Sequence, residues 1–478
     1  MHDKIKSRSH RHIPAVNKVL EALDAVDLPR PVIVATVRRE LSALRESDKI
    51  VEFKDVFDRV LKALDRHVRS RLQPVINGTG VILHTNFGRA PLSQRALESI
   101  ARVAGTYSNL EFDLASGQRG SRAGYLENNL ALLCGAESAT IVNNCAAALV
   151  LIVRHFITDA GGRRAVGARV RDTTARVPAK EVVISRGELV QIGGGFRIGE
   201  ILETSGAKLR EIGATNKTTL RDYAQAIGRD TALILKVHRS NFFMEGFVAS
   251  PRTEEIAQVA RKRRIPFVVD LGSGALHSTG QIAPGEDEPT PAEQLKDGAD
   301  LVCFSGDKLF GGPQAGIILG KRKLIAALKK EPLFRALRCD KLGLAALQAT
   351  VDLHLRDLQS EIPAIAFLQI SKDELRARAA AIIERLRGLP AQISIGRGVV
   401  KVGGGTLPRS TISSVAIDIV PKNCSVNEFA SRLRALTPPI IGYIGNKSFK
   451  LDLRTIFPHQ DDAVVDAIRT ACTAAHNP

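Results

Sequence analysis

Between Pro74 and about Lys330 the chain repeats one device: a short run apolar on both faces, then a stretch with helical spacing. The runs are "KEVVISRG", "TALILKVHRSN", "PFVVDLGSG", "LVCFSGDK" and "AGIILG", each bounded by glycine or polar residues. A strand that is apolar on both sides has to be covered on both sides. Segments such as "TEEIAQVARKRR" between the runs supply the covering helices. The pattern predicts an α/β fold: a mainly parallel sheet with helices on both faces. Ligands on such sheets gather at the C-terminal ends of the strands. The polar tails "SRGE", "HRSN", "DLGSG" and "SGDK" would converge on that rim.

The flanks have a different texture. In residues 1–72, "HIPAVNKVLEAL" and "VEFKDVFDRVLKALDRHVRSRL" carry apolar residues at helical spacing, with "LPRP" as a break between them. This predicts a small basic helical domain ahead of a large α/β domain over 73–330. Residues 331–478 read as a linker helix and a small α+β domain. There Ser371 with Glu374, and Ser425 with Glu428, have capping-box spacing, and "STISSVAIDI" and "KSFKLDLRTI" are strand candidates. Asp159 to Lys180 is a basic, glycine-containing loop without periodicity.

Charge narrows the partners. The 478 residues carry a net charge of +18, which attracts polyanions. A solvating surface charge is the plainer reading of that number alone. Tryptophan is absent and aromatics make up 4%, so a nucleic acid would be held by phosphate contacts and shape rather than by stacking. No apolar run approaches the ~20 residues that span a bilayer. The opening "MHDKIKSRSHRH" has no apolar stretch behind it, which argues against a secretory signal. Six scattered cysteines without a C-x-x-C pair point to reduced thiols and no zinc site. The expectation is a cytoplasmic protein without membrane contact or metal.

Two residues at the predicted rim carry chemistry. Asp270 closes the run "PFVVD", and Lys308 follows "LVCF" inside "FSGDKLFGGPQAG". Pyridoxal phosphate requires such a pair: an amine to form a Schiff base, and a carboxylate to keep the pyridine nitrogen protonated. Taken singly, an aspartate at a strand end is more often a cap, and a lysine more often a solvated charge. The cofactor's phosphate needs backbone N–H groups at a helix start. "TIVNNCAAALVLI" offers them at Asn144, Cys145 and Ala146, after a strand and before an alanine-rich helix, and Ser305 could add a hydroxyl.

With these pieces in order, the sequence resembles the selenocysteine synthase family, the L-seryl-tRNA(Sec) selenium transferases. The resemblance is carried by "NGTGVILHTNFGRAPLS", "YSNLEFDLASGQRGSR", "VNNCAAALV", "SRGELVQIGGGFRIGEI", "KVHRSNF", "DLGSGAL", "FSGDKLFGGPQAGIILGK" and "LFRALRCDKLGLAALQAT". It is close from Pro74 to about Thr350 and looser as far as "LDLRTIFP". It implies the aspartate-aminotransferase-like fold (fold type I), pyridoxal phosphate as cofactor, and Lys308 as the Schiff-base lysine. It also implies that the β-hydroxyl of serine borne on tRNA(Sec) is eliminated to give aminoacrylyl-tRNA. Selenium from selenophosphate then adds. An N-terminal tRNA-binding domain and a homo-oligomer built as a large ring belong to the same implication.

For selenophosphate the family pattern points to Arg89 in "FGRAP" and to Arg335 and Arg338 in "LFRALR". Their i, i+3 spacing predicts that one helix face presents both. Arg119 and Arg122 in "GQRGSR" are further candidates, and His84 and His238 stand where an imidazole could stack on the ring or relay a proton. A lone histidine or a glycine-flanked arginine is more often structural.

The chain departs from the pattern at four places. Cys145 stands where a third asparagine is expected, Gly195 where a serine is, and Tyr443 where an arginine often follows Gly442; the insertion from Asp159 to Lys180 is the fourth. Two other readings keep some of these features: a pyridoxal phosphate lyase acting on a small amino acid or amino sugar phosphate without tRNA, and a non-catalytic RNA-binding or assembly protein.

Overall fold

The structure, a computed structural model, describes residues 13–46, 52–158, 180–280 and 286–473. Most of the basic insertion singled out above lies outside these residues. The chain divides into two compact units, Met1–Val75 with Thr437–Pro439, and Ile76–Leu436 with Ile440–Pro478.

In the first unit three helices, α1 (Val16–Ala22), α2 (Arg30–Arg45) and α3 (Phe53–Arg69), are described. Apolar residues recur every three or four positions: Ile33, Val37, Leu41 and Leu44 on α2, and Val56, Val60 and Leu64 on α3. They close on Val19 and Leu20 of α1. Glu40 is buried at this seam and is tolerated because Arg59 Nε donates to it at 2.8 Å. That hydrogen bond holds its carboxyl below the usual range. The exposed surface of α3 carries Lys54, Arg59, Lys62, Arg66 and Arg69 against Asp55, Asp58 and Asp65, a modest basic excess.

The second unit is built on a seven-stranded sheet. Its strands are β1 (Ser138–Val142), β2 (Glu181–Ser185), β3 (Lys208–Ile212), β4 (Thr231–Val237), β5 (Phe267–Gly272), β6 (Leu301–Ser305) and β7 (Gly316–Gly320). They lie in the order β1-β7-β6-β5-β4-β2-β3. From β6 to β3 every pairing is parallel. Only β7 runs against its neighbours, β6 and β1. The connection over 306–315 is shorter than the dozen or more residues a parallel crossover requires, so the chain returns antiparallel.

Alternate residues of these strands face opposite layers. Val183, Ile234, Val269, Val302, Phe304 and Ile317 enter one core, with helices α4 (Gly124–Leu133), α7 (Thr253–Arg263) and α9 (Lys341–Leu355). Val182, Ile184, Leu233, Leu235, Val268 and Ile318 enter the other, with α5 (Cys145–Thr158), α6 (Ile198–Glu203) and α8 (Arg322–Leu328). The mainly parallel sheet with helices on both faces is as expected from the sequence.

A second sheet holds the hairpin β8 (Ala391–Gly403) and β9 (Thr406–Pro421), then β10 (Tyr443–Gly445) and β11 (Ser448–Asp452). The order is β10-β11-β9-β8, with the short strand Val81–Leu83 added parallel to β8. Helices α10 (Lys372–Arg385), α11 (Val426–Arg434) and α12 (Asp461–Thr473) pack on this sheet in a common core. Ser371 and Ser425 cap α10 and α11, each side chain accepting the N–H of the glutamate three residues on. The hairpin turns at Gly403, Gly404 and Gly405, all with positive φ, so residues with a Cβ would strain it. That turn brings backbone of the second sheet to the site.

Candidate active site

Asp270 on β5 stands in register between Val237 of β4 and Cys303 of β6. Immediately beyond it the pairing with β6 shifts, and Phe304 falls opposite Gly272. The carboxylate is 8% exposed. Cys145 Sγ lies 3.5 Å from its Oδ1, and Cys303 Sγ 3.8 Å. Burial raises the Asp270 carboxyl above its ordinary range, and the charge of Lys308 works against that rise.

Lys308 follows β6 in a turn pinned to the end of β5. Leu309 N–H donates to the Ser273 carbonyl at 3.0 Å, and Gly311 N–H to the Lys308 carbonyl at 2.9 Å. Gly272 is left-handed at φ +68, and a Cβ there would stand 3.7 Å from Lys308 Nζ. The amine therefore lies against bare backbone beside the buried carboxylate.

Helix α5 begins at the same place. Asn144 caps it: its Oδ1 accepts Ala147 N–H at 2.8 Å, and its carbonyl accepts Ala148 N–H at 3.1 Å. The first-turn N–H groups of Cys145 and Ala146 have no acceptor within the helix. Both residues line the cavity, so their N–H groups form a cradle for an anion. Gly316 lets β7 approach this turn, because a Cβ there would fall 2.1 Å from the Asn144 carbonyl oxygen.

These groups share one cavity of about 650 Å³, lined by Asn144, Cys145, Asp270, Ser305, Lys308 and His238 together with Arg89. A cavity of about 720 Å³ elsewhere, lined by residues such as Arg261, Asp300 and Lys321, contains none of them. His238 N–H donates to the Asp270 carbonyl at 2.8 Å. Its Nε2 is 3.0 Å from Glu288 Oε2, without the alignment of a hydrogen bond. Glu288 is buried, and its other oxygen accepts Leu407 N–H at 2.9 Å, which links the carboxylate beside the imidazole to β9.

The arginines separate. Arg89, itself at φ +65, lines the cavity and pairs with Asp307 at 2.7 Å. Arg119, Arg122 and Arg338 instead surround Glu111 at 2.7, 2.9 and 3.3 Å. The hydrogen bond from Arg122 leads in holding that carboxyl below its usual range. None of the three lines the cavity with Lys308, and neither does Arg335, which is exposed. The expected shared helix face for Arg335 and Arg338 is corrected: the helix Pro332–Ala336 ends before Arg338. His84 stacks on Phe87 at 3.8 Å with its pKa lowered by burial, and it is Thr85 that reaches the cavity wall.

Sequence reasoning missed several wall and support residues. Glu188 is buried, accepts Val237 N–H at 3.0 Å and lies 3.7 Å from Lys236 Nζ, which fixes the end of β4 just before His238. It sits inside the quoted "SRGELV" block, so the signal was present without its meaning. Gln314 likewise sits inside the quoted "FSGDKLFGGPQAG", whereas Glu288, Gly404 and Gly405 carried no comparable signal.

The residues present fit a phosphorylated pyridine aldehyde. The start of α5 would hold the phosphate, the Asp270 carboxylate would serve the ring nitrogen, and Lys308 in the same cavity would supply the amine.

The class follows from the layout: an enzyme of the aspartate-aminotransferase-like fold with a lysine-and-aspartate cofactor site. D-glucosaminate-6-phosphate ammonia-lyase shares the fold with a TM-score of 0.58 and 21% identity, over 84% of this chain and 96% of that one. At that identity the likeness speaks for the fold alone. The family model described as L-seryl-tRNA selenium transferase matches residues 75–457. The L-seryl-tRNA(Sec) selenium transferase of Geobacter sulfurreducens is 41% identical over 473 residues, 96% of this chain and 98% of the relative. That of Aquifex aeolicus is 41% identical over 456 residues, 94% of this chain and 96% of the relative. The chain belongs to the L-seryl-tRNA selenium transferase family. Among the described residues no helix is long and apolar enough to cross a membrane.

Proposed function

We propose that the protein converts seryl-tRNA(Sec) to selenocysteinyl-tRNA(Sec) in the cytoplasm, with pyridoxal phosphate as cofactor and selenophosphate as selenium donor. The serine hydroxyl leaves, selenium takes its place on the β-carbon, and phosphate is released. The observation that carries this reading is the convergence of Lys308, Asp270 and the start of α5 on one cavity, inside a family match over 75–457.

Bound pyridoxal phosphate supplies an electron sink for the pair left when a proton departs from Cα. The chain's residues do the rest. The N–H groups of Cys145 and Ala146, with the Ser305 hydroxyl, would hold the phosphate. Asp270 would serve the pyridine nitrogen. Lys308 would anchor the cofactor and act as the base toward the Cα proton and the acid toward the departing hydroxyl. His238, which lines the cavity, would stack on the ring or relay a proton. Arg89 offers a guanidinium to selenophosphate, and Asp307 holds that guanidinium in place beforehand.

Arg335 and Arg338, and after them Arg119 and Arg122, would join Arg89 only where a second copy brings them to the cavity. A homo-oligomer is therefore part of the proposal, and its ring form is expected from the family resemblance. The basic excess on α3 and the chain's net charge of +18 favour the first unit as the tRNA-binding part. The test is steady-state turnover of seryl-tRNA(Sec) by Arg89→Ala. An elevated KM for selenophosphate with unchanged cofactor loading supports the role, and an unchanged KM removes Arg89 from it.

A further inference from the structure

Cys145, Asp270 and Cys303 come from three elements, the first turn of α5 and strands β5 and β6, and no spacing in the sequence joins them. Their donor atoms nevertheless all lie within 4.8 Å of one another. Both sulfurs approach the same carboxylate oxygen, at 3.5 Å and 3.8 Å. A tetrahedral zinc site has Zn–S bonds of about 2.3 Å and Zn–O bonds of about 2.0 Å, which gives a sulfur-to-oxygen edge of about 3.5 Å. Both sulfur-to-oxygen spacings stand near that edge.

The surroundings suit an ion as well. Cys303 is fully buried and closes the base of the set, whereas Cys145 and Asp270 line the cavity. A fourth coordination position would open into the cavity, where water can complete the shell. Two thiolates and a carboxylate bring three negative charges, and a divalent cation leaves one. Lys308 lines the same cavity, where an ammonium would offset that remainder.

We propose that the cofactor-free protein binds one thiophilic divalent cation, such as zinc, cadmium or cobalt(II), through Cys145 Sγ, Cys303 Sγ and a carboxylate oxygen of Asp270. The two thiol protons leave as the metal–sulfur bonds form. The ion then occupies the carboxylate that otherwise serves the pyridine nitrogen, so ion and cofactor exclude each other. That exclusion rests on the cofactor placement proposed above; the metal site does not.

The experiment titrates the full-length, cofactor-free protein with Co²⁺ and follows the thiolate-to-cobalt charge-transfer absorption. Saturation at one ion per chain is expected, with binding weakened by at least about 10-fold in Cys145→Asn and in Cys303→Ser. Absence of the absorption, or unchanged affinity in both variants, overturns the site. If Cys303→Ser fails to fold, Cys145→Asn decides alone, its fold checked by circular dichroism and by cofactor uptake. Pyridoxal phosphate added to the cobalt-loaded protein should bleach the band. If the cofactor binds while cobalt stays, the exclusion and the assignment of Asp270 to the pyridine nitrogen both fail, and the metal site stands.

Discussion

The place of Lys308 and Asp270 on the rim came with the apolar runs they follow or close, whereas their pairing as a cofactor site came from the family resemblance. Lys308→Ala is expected to abolish covalent cofactor attachment, read by mass after borohydride reduction, and to lower turnover on the order of 10²–10⁴-fold. Asp270→Asn should keep the fold while weakening cofactor affinity and turnover, both measurable on the same preparation. The arginines were less legible. Arg119, Arg122 and Arg338 meet on Glu111, a partner that lies 227 positions from Arg338, and no local pattern announces such a contact. His354 shows the same limit for a titrating group. Its Nε2 is 3.0 Å from the Phe310 carbonyl, and burial pushes its pKa down to about 4. The unfolded chain, with a histidine pKa of about 6.5, takes a proton that the folded chain refuses. Stability from this group is full above about pH 6.5 and is lost as pH falls toward 4, a swing of roughly 3 kcal/mol. Urea melts between pH 7 and 4.5 should show a flatter decline for His354→Gln than for the parent, and parallel declines would contradict the assignment.

At the scale of elements, period and polarity carried most of the information. Strands β2, β4, β5, β6 and β7 each coincide with an apolar run, and β1 with "ATIV". Strand β3 escaped notice because "KLREI" lies at the sheet's edge with three of its five residues exposed, so it lacks the apolar signature of its neighbours. The reversed direction of β7 was hidden for another reason: direction follows from the length of the connection, and the composition of "AGIILG" does not encode it. Gly316 on this strand has a sharper consequence. Its missing Cβ is what admits the Asn144 carbonyl, so Gly316→Ala must push β7 away from the start of α5. A destabilisation of about 1–3 kcal/mol is expected, together with weaker cofactor binding from a displaced phosphate cradle. Calorimetry and a cofactor titration check the two parts separately, and an unchanged protein on both counts would show that the approach is not needed.

For the whole molecule, the net charge of +18 makes sense if the substrate is carried on a polyanion. Removing residues 1–72 is expected to weaken tRNA binding and to reduce its dependence on salt, while cofactor loading stays as it was. Equal tRNA affinity before and after removal would detach the first unit from that role. The central claim, chemistry on serine borne by tRNA, has a direct readout in the visible spectrum of the cofactor-loaded protein. That spectrum is to be recorded during parallel titrations with seryl-tRNA(Sec) and with free serine. A shift with the charged tRNA alone is the result expected here. An unchanged spectrum with the charged tRNA, while cofactor is plainly bound, would contradict it and turn attention to a lyase of small substrates.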